Sequence, residues 1–232
     1  MEIKIFELLE GAAKARGITV IIDVFRAFSL EPAVLENGAS PLIAVGEIET
    51  AVKEKERDPN TILIGERHGR KIQGFDYGNS PSEVETVDFR GKRVIHTTSA
   101  GTQGLLAAKH ADLLLTGALV NAAATARYIK SLKPDIVSLV CMGWECRKNT
   151  EEDLLCAEYI RSLLEGEGQF PIEERAYQLR YQEGKKFFDP KQAEVFPEAD
   201  FWSCTAINRY DFAVQAVPNN IGFVMRQLED GR

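Results

Sequence analysis

Asp23 and Arg26 stand three residues apart in the segment DVFRA, directly after the apolar run VII. A carboxylate at the end of a strand can bind Mg²⁺ or attack phosphorus, and an arginine can hold a phosphate group through two parallel hydrogen bonds. An aspartate in this position is also a common helix cap. The pair therefore predicts phosphate chemistry, with a capped helix as the alternative.

The segment GERHGRKIQGFD adds a second set of charged residues, Glu66, Arg67 and Asp76. Magnesium sites commonly combine one or two carboxylates with phosphate oxygens and water. We therefore predict that the metal ligands come from Asp23, Glu66 and Asp76. We also predict that Asp23, Arg26, Arg67 and Asp76 are catalytic residues, and that the two arginines bind the anion.

The stretch TTSAGTQG places Thr97, Thr98, Gly101 and Thr102 at a predicted strand-to-helix turn. Unpaired N–H groups at the start of a helix, with hydroxyl groups beside them, suit a phosphate or another anion. The spacing is not that of a P-loop, whose lysine is also absent, so an ordinary capped crossover is an equal alternative. Asn121 follows a later predicted strand and is a further candidate for substrate binding.

Two stretches, residues 20–67 and 94–143, show the same order of elements: strand, helix, strand, helix, strand. Strands that alternate with helices predict a parallel sheet with right-handed crossovers. We predict an α/β fold of three layers, α/β/α, with a mostly parallel sheet and two tandem βαβαβ units. In such sheets ligands bind at the carboxyl ends of the strands, which is where the polar residues named above fall.

Composition limits the classes of function. The 232 residues are predicted to form a single domain, since no low-complexity linker divides them. The net charge of −7 argues against a nucleic-acid-binding protein, because phosphate backbones are held by clustered Lys and Arg.

The N-terminal stretch lacks the features of a secretory signal and no apolar run is long enough to span a membrane, so we expect a cytoplasmic protein. The four cysteines lack the paired short spacings of zinc sites.

Five segments, VIIDVFRA, ILIGER, GFDYGNSP, HTTSAGT and TGALVNA, occur in this order along the chain. Together they resemble the 2-phosphosulfolactate phosphatase family, and the segments EED and VPNN are compatible with it. The resemblance extends from Gly11 to about Pro218. It implies an α/β fold, Mg²⁺ as cofactor, and hydrolysis of a small anionic phosphate ester, 2-phospho-3-sulfolactate, on the path to coenzyme M.

The resemblance makes GFDYGNSP a signature loop of the family, which implies that Asn79 and Ser80 lie against the substrate. The chain departs from the family pattern at Phe28 and Ser29, where threonines tend to occur, and at Ala100, where asparagine is frequent. These positions lie near the expected pocket and bear on which substrate is bound. The alternatives are therefore a phosphatase for another small acidic phosphate ester and a non-catalytic protein that binds an anionic metabolite.

The C-terminal third of the chain is rich in aromatic side chains, among them Phe187, Phe188, Phe196, Phe201 and Trp202. Aromatic residues in this number are seldom left in water, so they either cover the sheet or form an interface between chains. We expect most of them to cover the sheet, and we expect the protein to form a homodimer.

Overall fold

The structure is a computed structural model that describes residues 1–166 and 169–228. Within this part of the chain, ten strands form one sheet. The strands are Glu2–Glu7 (β1), Gly17–Ile22 (β2), Leu42–Ala44 (β3), Ile62–Arg67 (β4), Arg70–Lys71 (β5), Val94–Thr97 (β6), Ala111–Gly117 (β7), Ile136–Cys141 (β8), Ala213–Pro218 (β9) and Phe223–Leu228 (β10). The helices are Leu8–Lys14 (α1), Ala27–Glu36 (α2), Ile48–Arg57 (α3), Pro81–Val84 (α4), Gly101–Ala107 (α5), Ala122–Leu132 (α6), Glu151–Glu165 (α7), Ile172–Gln178 (α8) and Glu198–Cys204 (α9).

The sheet runs in the order β1-β8-β2-β7-β9-β10-β3-β6-β4-β5. Strands β1, β8, β2 and β7 pair in parallel, and so do β3, β6 and β4. The antiparallel hairpin of β9 and β10 joins these two parallel blocks, and the short β5 pairs antiparallel to β4 at one edge. The prediction of an α/β fold with a mostly parallel sheet flanked by helices, as in a three-layer arrangement, is confirmed.

Residues 20–67 and 94–143 both show the predicted order of strands and helices. The sheet interleaves the strands of these two units, because β2 lies between β8 and β7, and β6 lies between β3 and β4. The units therefore follow one another along the chain but share both parallel blocks. That residues 1–232 form a single domain stays a prediction.

The burial pattern of a strand follows from its place in the sheet. In β2, five of the six residues of GITVII are buried, as expected for a strand that is covered on both faces. The edge strand β1 instead alternates, with Glu2 and Lys4 exposed and Ile3 and Ile5 half-buried. Strands β1 and β10 and helix α1 are not predicted from the sequence, because their apolar patterns are short and interrupted by charges.

Most aromatic residues of the C-terminal third pack into the core, as expected. Phe187, Phe196 and Phe201 are buried and belong to the same core cluster as the residues of the central strands, whereas Trp202 is 43% exposed. Phe25 joins this group with its ring centroid 5.0 Å from that of Phe187. Aromatic side chains therefore close the end of the sheet at which Phe25 follows β2.

Two further properties concern the helices and the cysteine thiols. Among residues 1–166 and 169–228, no helix combines the length and the apolar character needed to cross a bilayer. Cys141, Cys156 and Cys204 are buried free thiols, and burial raises the pKa of each thiol well above its ordinary value. A cytoplasmic location stays a prediction.

Candidate active site

A small cavity of about 30 Å³ lies where the carboxyl ends of the parallel strands meet. Asp23 follows β2, Gly143 comes shortly after β8, Glu66 is in β4, and Ser99 comes shortly after β6. The rest of the wall consists of Phe25, Arg26, Gly69, Asn79, Ala100, Trp144, Glu145 and Phe196. This is the place where a parallel sheet is expected to bind its ligand.

Asp23 is 7% exposed, and backbone N–H groups hold its carboxylate. Its Oδ2 accepts a hydrogen bond from Gly101 at 2.9 Å, and its Oδ1 accepts one from Ala27, the first residue of α2, at 3.2 Å. Burial, and then the negative charge of Glu66, raise the pKa of Asp23 to about 6, against the opposing effects of these hydrogen bonds and of His96. Asp23 thus both holds the start of α2 and presents an acid to the cavity.

Glu66, also 7% exposed, is held in the same way. Its Oε1 accepts a hydrogen bond from the N–H of Ser99 at 2.7 Å, and its Oε2 accepts one from the N–H of Gly69 at 2.7 Å and one from the Ser99 hydroxyl at 3.2 Å. These bonds fix the carboxylate between the loop after β6 and the turn before β5. Glu66 is therefore held in place before any ligand binds.

Asp23 and Glu66 suit a Mg²⁺ ion, which prefers oxygen ligands and usually keeps several waters. A cavity of about 30 Å³ has room for an ion or for one or two water molecules. In the part of the chain that the structure describes, no group of three or more His, Cys, Asp or Glu side chains could hold a metal on its own. The residues therefore fit a magnesium site of two carboxylates, completed by water and phosphate oxygens.

Asp76 and Asn121 are not part of the cavity wall. Oδ2 of Asp76 accepts hydrogen bonds from Lys55 at 2.7 Å and from the N–H of Leu63 at 2.8 Å, which joins α3 and β4 to the loop that contains Asp76. Oδ1 of Asn121 accepts a hydrogen bond from the N–H of Ala118 at 3.1 Å, just before α6. The structure does not bring these two predicted residues to the site.

Arg26 reaches the cavity but is already paired. Its Nη1 donates to the carboxylate of Asp200 at 2.6 Å, and its Nη2 donates to the carbonyl of Gly69 at 2.9 Å. Only 4% of the Arg26 side chain and 0% of the Asp200 side chain are exposed, so this ion pair is almost completely buried. Arg26 therefore organises the cavity wall, and its contact with an anion stays a prediction.

Arg67 does not line the cavity. Its guanidinium donates to the carbonyl groups of Glu66 and Gly46, at 2.7 and 3.1 Å, and to the hydroxyl of Thr97 at 3.1 Å. Gly46 follows β3, and Thr97 ends β6. Arg67 thus ties together the carboxyl ends of three strands and positions Glu66 through its backbone.

The threonines of TTSAGTQG are buried and shape the turn rather than the cavity wall. The N–H of Thr102 donates to the Thr98 hydroxyl at 3.2 Å, and the Thr102 hydroxyl donates to the Thr98 carbonyl at 2.9 Å. Ser99 and Ala100 of the same stretch line the cavity, and Gly101 reaches the site through its hydrogen bond to Asp23. An added Cβ at Gly101 would come within 2.8 Å of Phe28 and 3.0 Å of Asp23, so the close approach requires glycine.

Asn79 lines the cavity and contacts the buried His96, which in turn contacts the buried Glu31. Nε2 of His96 lies 3.3 Å from Oδ1 of Asn79, and Nδ1 of His96 lies 3.0 Å from Oε1 of Glu31. His96 and Glu31 are fully buried. Burial raises the pKa of Glu31, while the hydrogen bond and the charge of His96 oppose this rise. His96 therefore has a structural role, in which it positions Asn79.

A second, larger cavity of about 670 Å³ adjoins the first. Arg26, Gly69 and Asn79 line both, and we call the two the inner and the outer cavity. The outer cavity is also lined by Arg70, Lys71, Gly78, Ser80, Ser82, Glu83, Ala193, Glu194, Val195 and Pro197. The site thus combines a small acidic pocket with a wider chamber beside it.

Ser80, predicted to bind substrate, lies in the wall of the outer cavity, where Asp200 holds it. Its hydroxyl donates to Asp200 at 2.7 Å and accepts a hydrogen bond from the N–H of Glu83 at 3.3 Å, which caps α4. Asp200 also accepts hydrogen bonds from the N–H and the hydroxyl of Ser82, at 3.0 and 2.7 Å. The buried Asp200 therefore connects Arg26 to the signature loop.

The loop GWEC, residues 143–146, supplies Trp144 and Glu145 to the inner cavity and is not predicted from the sequence. Glu145 and Cys146 have positive φ angles of 52° and 57°, and Oε1 of Glu145 lies 2.5 Å from Nδ1 of His68. The loop comes directly after the carboxyl end of β8, which is the signal that could have found it.

Asp153, in the segment EED, holds two strand ends together. Its Oδ1 accepts a hydrogen bond from the N–H of Val24 and its Oδ2 accepts one from the N–H of Gly143, both at 2.8 Å. Burial, and then the charges of Glu152 and Asp23, raise the pKa of Asp153 well above its ordinary value. This residue positions the backbone on both sides of the inner cavity.

Lys186 brings a further positive charge close to the inner cavity. Its Nζ lies 4.4 Å from the ring centroid of Trp144, 5.2 Å from that of Phe196 and 5.8 Å from that of Phe25, and these three rings line the cavity. Burial lowers the pKa of Lys186, and the charge of Glu152 opposes this effect. No sequence signal identifies Lys186, because it reaches the site from a distant segment without regular spacing.

Comparison with known proteins gives one family. The sequence profile of the 2-phosphosulpholactate phosphatase family matches residues 3–196. Proteins named probable 2-phosphosulfolactate phosphatase are 40% identical over 148 residues in Caldicellulosiruptor saccharolyticus, 36% identical over 160 residues in Deinococcus radiodurans and 28% identical over 218 residues in Bacillus subtilis. The aligned regions cover 62%, 68% and 93% of this chain.

The same alignments cover 61%, 66% and 93% of the three relatives, so the chain spans less than two thirds of the length of the first two. The residues that match the family profile include the whole inner cavity, from Asp23 to Phe196. The chain therefore belongs to the 2-phosphosulpholactate phosphatase family.

Proposed function

We propose that this chain is a Mg²⁺-dependent phosphatase that hydrolyses 2-phospho-3-sulfolactate to 3-sulfolactate and inorganic phosphate. The observation that carries the proposal is the pair of buried carboxylates, Asp23 and Glu66, on one small cavity. Family membership and the names of the relatives support the reaction and the substrate. The adjoining outer cavity offers space for the part of the ester that is not phosphate.

Asp23 and Glu66 are the residues that would hold Mg²⁺, which supplies positive charge against the phosphate oxygens. Their oxygens are already fixed by N–H groups of Gly101, Ser99 and Gly69. Because this arrangement exists before substrate binds, little reorganisation is needed at the moment of reaction. Phe25, Trp144 and Phe196 place aromatic rings in the wall of this cavity.

Two routes lead to the products. In the first, an oxygen of Asp23 attacks phosphorus, the sulfolactate oxygen leaves and takes up a proton, and water then cleaves the acyl phosphate to restore the carboxylate. In the second, water attacks phosphorus directly and Asp23 serves as a metal ligand. Hydroxylamine added during turnover distinguishes the routes, because it converts Asp23 to a hydroxamate only in the first.

Phosphate release from 2-phospho-3-sulfolactate, measured with Mg²⁺ and with a chelator, tests the proposal. We expect release with Mg²⁺, loss of release on chelation, and recovery when Mg²⁺ is restored. Turnover of another small acidic ester, with 2-phospho-3-sulfolactate ignored, would support the alternative substrate. A ligand-dependent rise in melting temperature without turnover of any ester would support the non-catalytic binding protein.

The proposal also includes a place in coenzyme M biosynthesis, a cytoplasmic location and a homodimer. Exposed aromatic side chains support the dimer, since Tyr177, Tyr181 and Trp202 are 45%, 63% and 43% exposed. Aromatic residues are enriched at interfaces between chains. Sedimentation at micromolar concentration should give the mass of two chains, and the mass of one chain would overturn the dimer.

A further inference from the structure

The outer cavity carries two cations that are free to meet a ligand. Three residues with positive charge line the two cavities, namely Arg26, Arg70 and Lys71. Arg26 is paired with the buried Asp200. Within residues 1–166 and 169–228, the side chains of Arg70 and Lys71 have no hydrogen-bonding or ion-pair partner. Both residues are exposed, on the short edge strand β5.

The hairpin of β4 and β5 connects these cations to the inner cavity. Lys71 stands opposite Glu66 in the antiparallel pair. The N–H of Gly69 donates to Glu66, and the carbonyl of Gly69 accepts a hydrogen bond from Arg26. Arg70 follows Gly69, which lines both cavities. A ligand whose phosphate oxygens reach the inner cavity and whose other end lies in the outer cavity therefore passes Gly69 towards Arg70 and Lys71.

We propose that Arg70 and Lys71 bind the anionic groups on the non-phosphate part of the substrate. The outer cavity would then select phosphate esters whose remainder carries a carboxylate or a sulfonate, and this selection rests on the proposed function. Guanidinium and ammonium groups form charge-assisted hydrogen bonds with such oxygens. Because the chain has a net charge of −7, a strongly anionic substrate depends on local positive charge of this kind.

The outer cavity also carries the carboxylates of Glu83 and Glu194. Oε2 of Glu83 accepts a hydrogen bond from the N–H of Gly78 at 3.2 Å, so Glu83 has a structural contact. An acid on this wall repels an anionic ligand. Removing the charge of Glu194 should therefore act in the opposite direction from removing the charge of Arg70 or Lys71. This difference in sign separates charge recognition from a general disturbance of the cavity.

Calorimetric binding of 3-sulfolactate, which carries a carboxylate and a sulfonate but no phosphate, tests the outer cavity directly. Arg70→Gln and Lys71→Gln should each weaken binding by about tenfold, and Glu194→Gln should strengthen it by about threefold. Lys4→Gln, which removes a cation from β1 at the opposite edge of the sheet, is the matched control and should leave binding unchanged. Circular dichroism verifies that each variant is folded.

Hydrolysis gives a second measurement, the ratio of kcat/KM for 2-phospho-3-sulfolactate to kcat/KM for phenyl phosphate, whose remainder is uncharged. We expect Arg70→Gln and Lys71→Gln to lower this ratio by about tenfold, and Glu194→Gln to raise it. Unchanged binding and an unchanged ratio in all three variants would overturn the inference and leave the proposed function standing. Binding of 3-sulfolactate that depends on Arg70 and Lys71, without hydrolysis of any ester, would support the inference and overturn the proposed function.

Discussion

The carboxyl groups of Asp23 and Glu66 lie in the wall of one small cavity, although their strands β2 and β4 stand third and ninth in the order of the sheet. Burial and the charge of Glu66 both favour the neutral form of Asp23, whose pKa rises to about 6. A cation between the two carboxylates would stabilise their ionised forms. The electrostatics of the pair thus agree with the proposed metal site.

We expect the carboxyl group of Asp23 to titrate with a midpoint near pH 6 in the Mg²⁺-free protein. Mg²⁺ should move this midpoint to lower pH, because a cation favours the ionised form. NMR of carboxyl carbons measures both values. Asp88 provides an internal comparison, since its hydrogen bond with Arg90 lowers its pKa to about 2. A midpoint for Asp23 near its ordinary value of 3.8 in the Mg²⁺-free protein would contradict the account.

The same raised pKa predicts how stability depends on pH. The folded protein favours protonated Asp23, so this contribution to stability is present below about pH 3.8 and is lost as the pH rises through about 6. The loss is up to about 3 kcal/mol. In Mg²⁺-free buffer, the free energy of unfolding of Asp23→Asn relative to the wild-type protein should therefore increase between pH 4 and pH 8. Urea denaturation measures this difference, and a difference that is constant with pH would count against a raised pKa.

Sequence predicts most of the strands because apolar runs such as those of β2 and β8 are long enough to stand out. It does not predict that β2 lies between β8 and β7, because strand order is decided by tertiary packing. Edge strand β1 is missed because its apolar residues alternate with Glu2 and Lys4. The sequence thus predicts the class of the fold, whereas the interleaving that forms the site appears only in the structure.

Tertiary contacts that the sequence does not reveal also decide which residues form the site. In the sequence, Asp23, Glu66 and Asp76 are equally good candidates for metal ligands. In the structure, Asp76 accepts a hydrogen bond from Lys55 and does not line the cavity. Residue type cannot show which acid is already held by a neighbouring side chain. Asp200 is not predicted from the sequence, because it lies 174 residues after its partner Arg26 and no regular spacing links the two. Strand ends are therefore better predictors of site residues than charge alone.

Asp200→Asn should lower the free energy of unfolding by about 3 kcal/mol, because it leaves the buried Arg26 without its counter-charge. Chemical denaturation measures the loss. Glu10→Gln, which removes an exposed partner of Lys14, is the control and should leave stability nearly unchanged. Equal stability of Asp200→Asn and the wild-type protein would show that the Asp200 network does not hold the cavity wall.

Gly101→Ala should lower both activity and stability. The added Cβ would come within 2.8 Å of Phe28 and 3.0 Å of Asp23, so the turn must shift and weaken its hydrogen bond to Asp23. We expect a loss of about 1–3 kcal/mol in the free energy of unfolding. We also expect a fall in kcat/KM of about tenfold or more. Phosphate release and denaturation measure the two effects.

Gly91→Ala is the control for this substitution. Its φ of +69° makes alanine strained, but no atom lies within 4 Å of the added Cβ. It should therefore lose about 1 kcal/mol of stability and keep its activity. Full activity in Gly101→Ala would show that the turn at Gly101 does not position Asp23.

The most direct test of the account compares phosphate release from 2-phospho-3-sulfolactate, at saturating Mg²⁺, by the wild-type protein, Asp23→Asn and Asp76→Asn. Asparagine keeps the shape of the side chain but can neither attack phosphorus nor bind Mg²⁺ with a full charge. We expect Asp23→Asn to remain folded and to lose activity by a factor on the order of 10³ or more. Asp76→Asn removes a carboxylate that contacts Lys55 outside the cavity and should keep most of its activity. Retained activity in a folded Asp23→Asn variant, or loss confined to Asp76→Asn, would contradict the assignment of the active site.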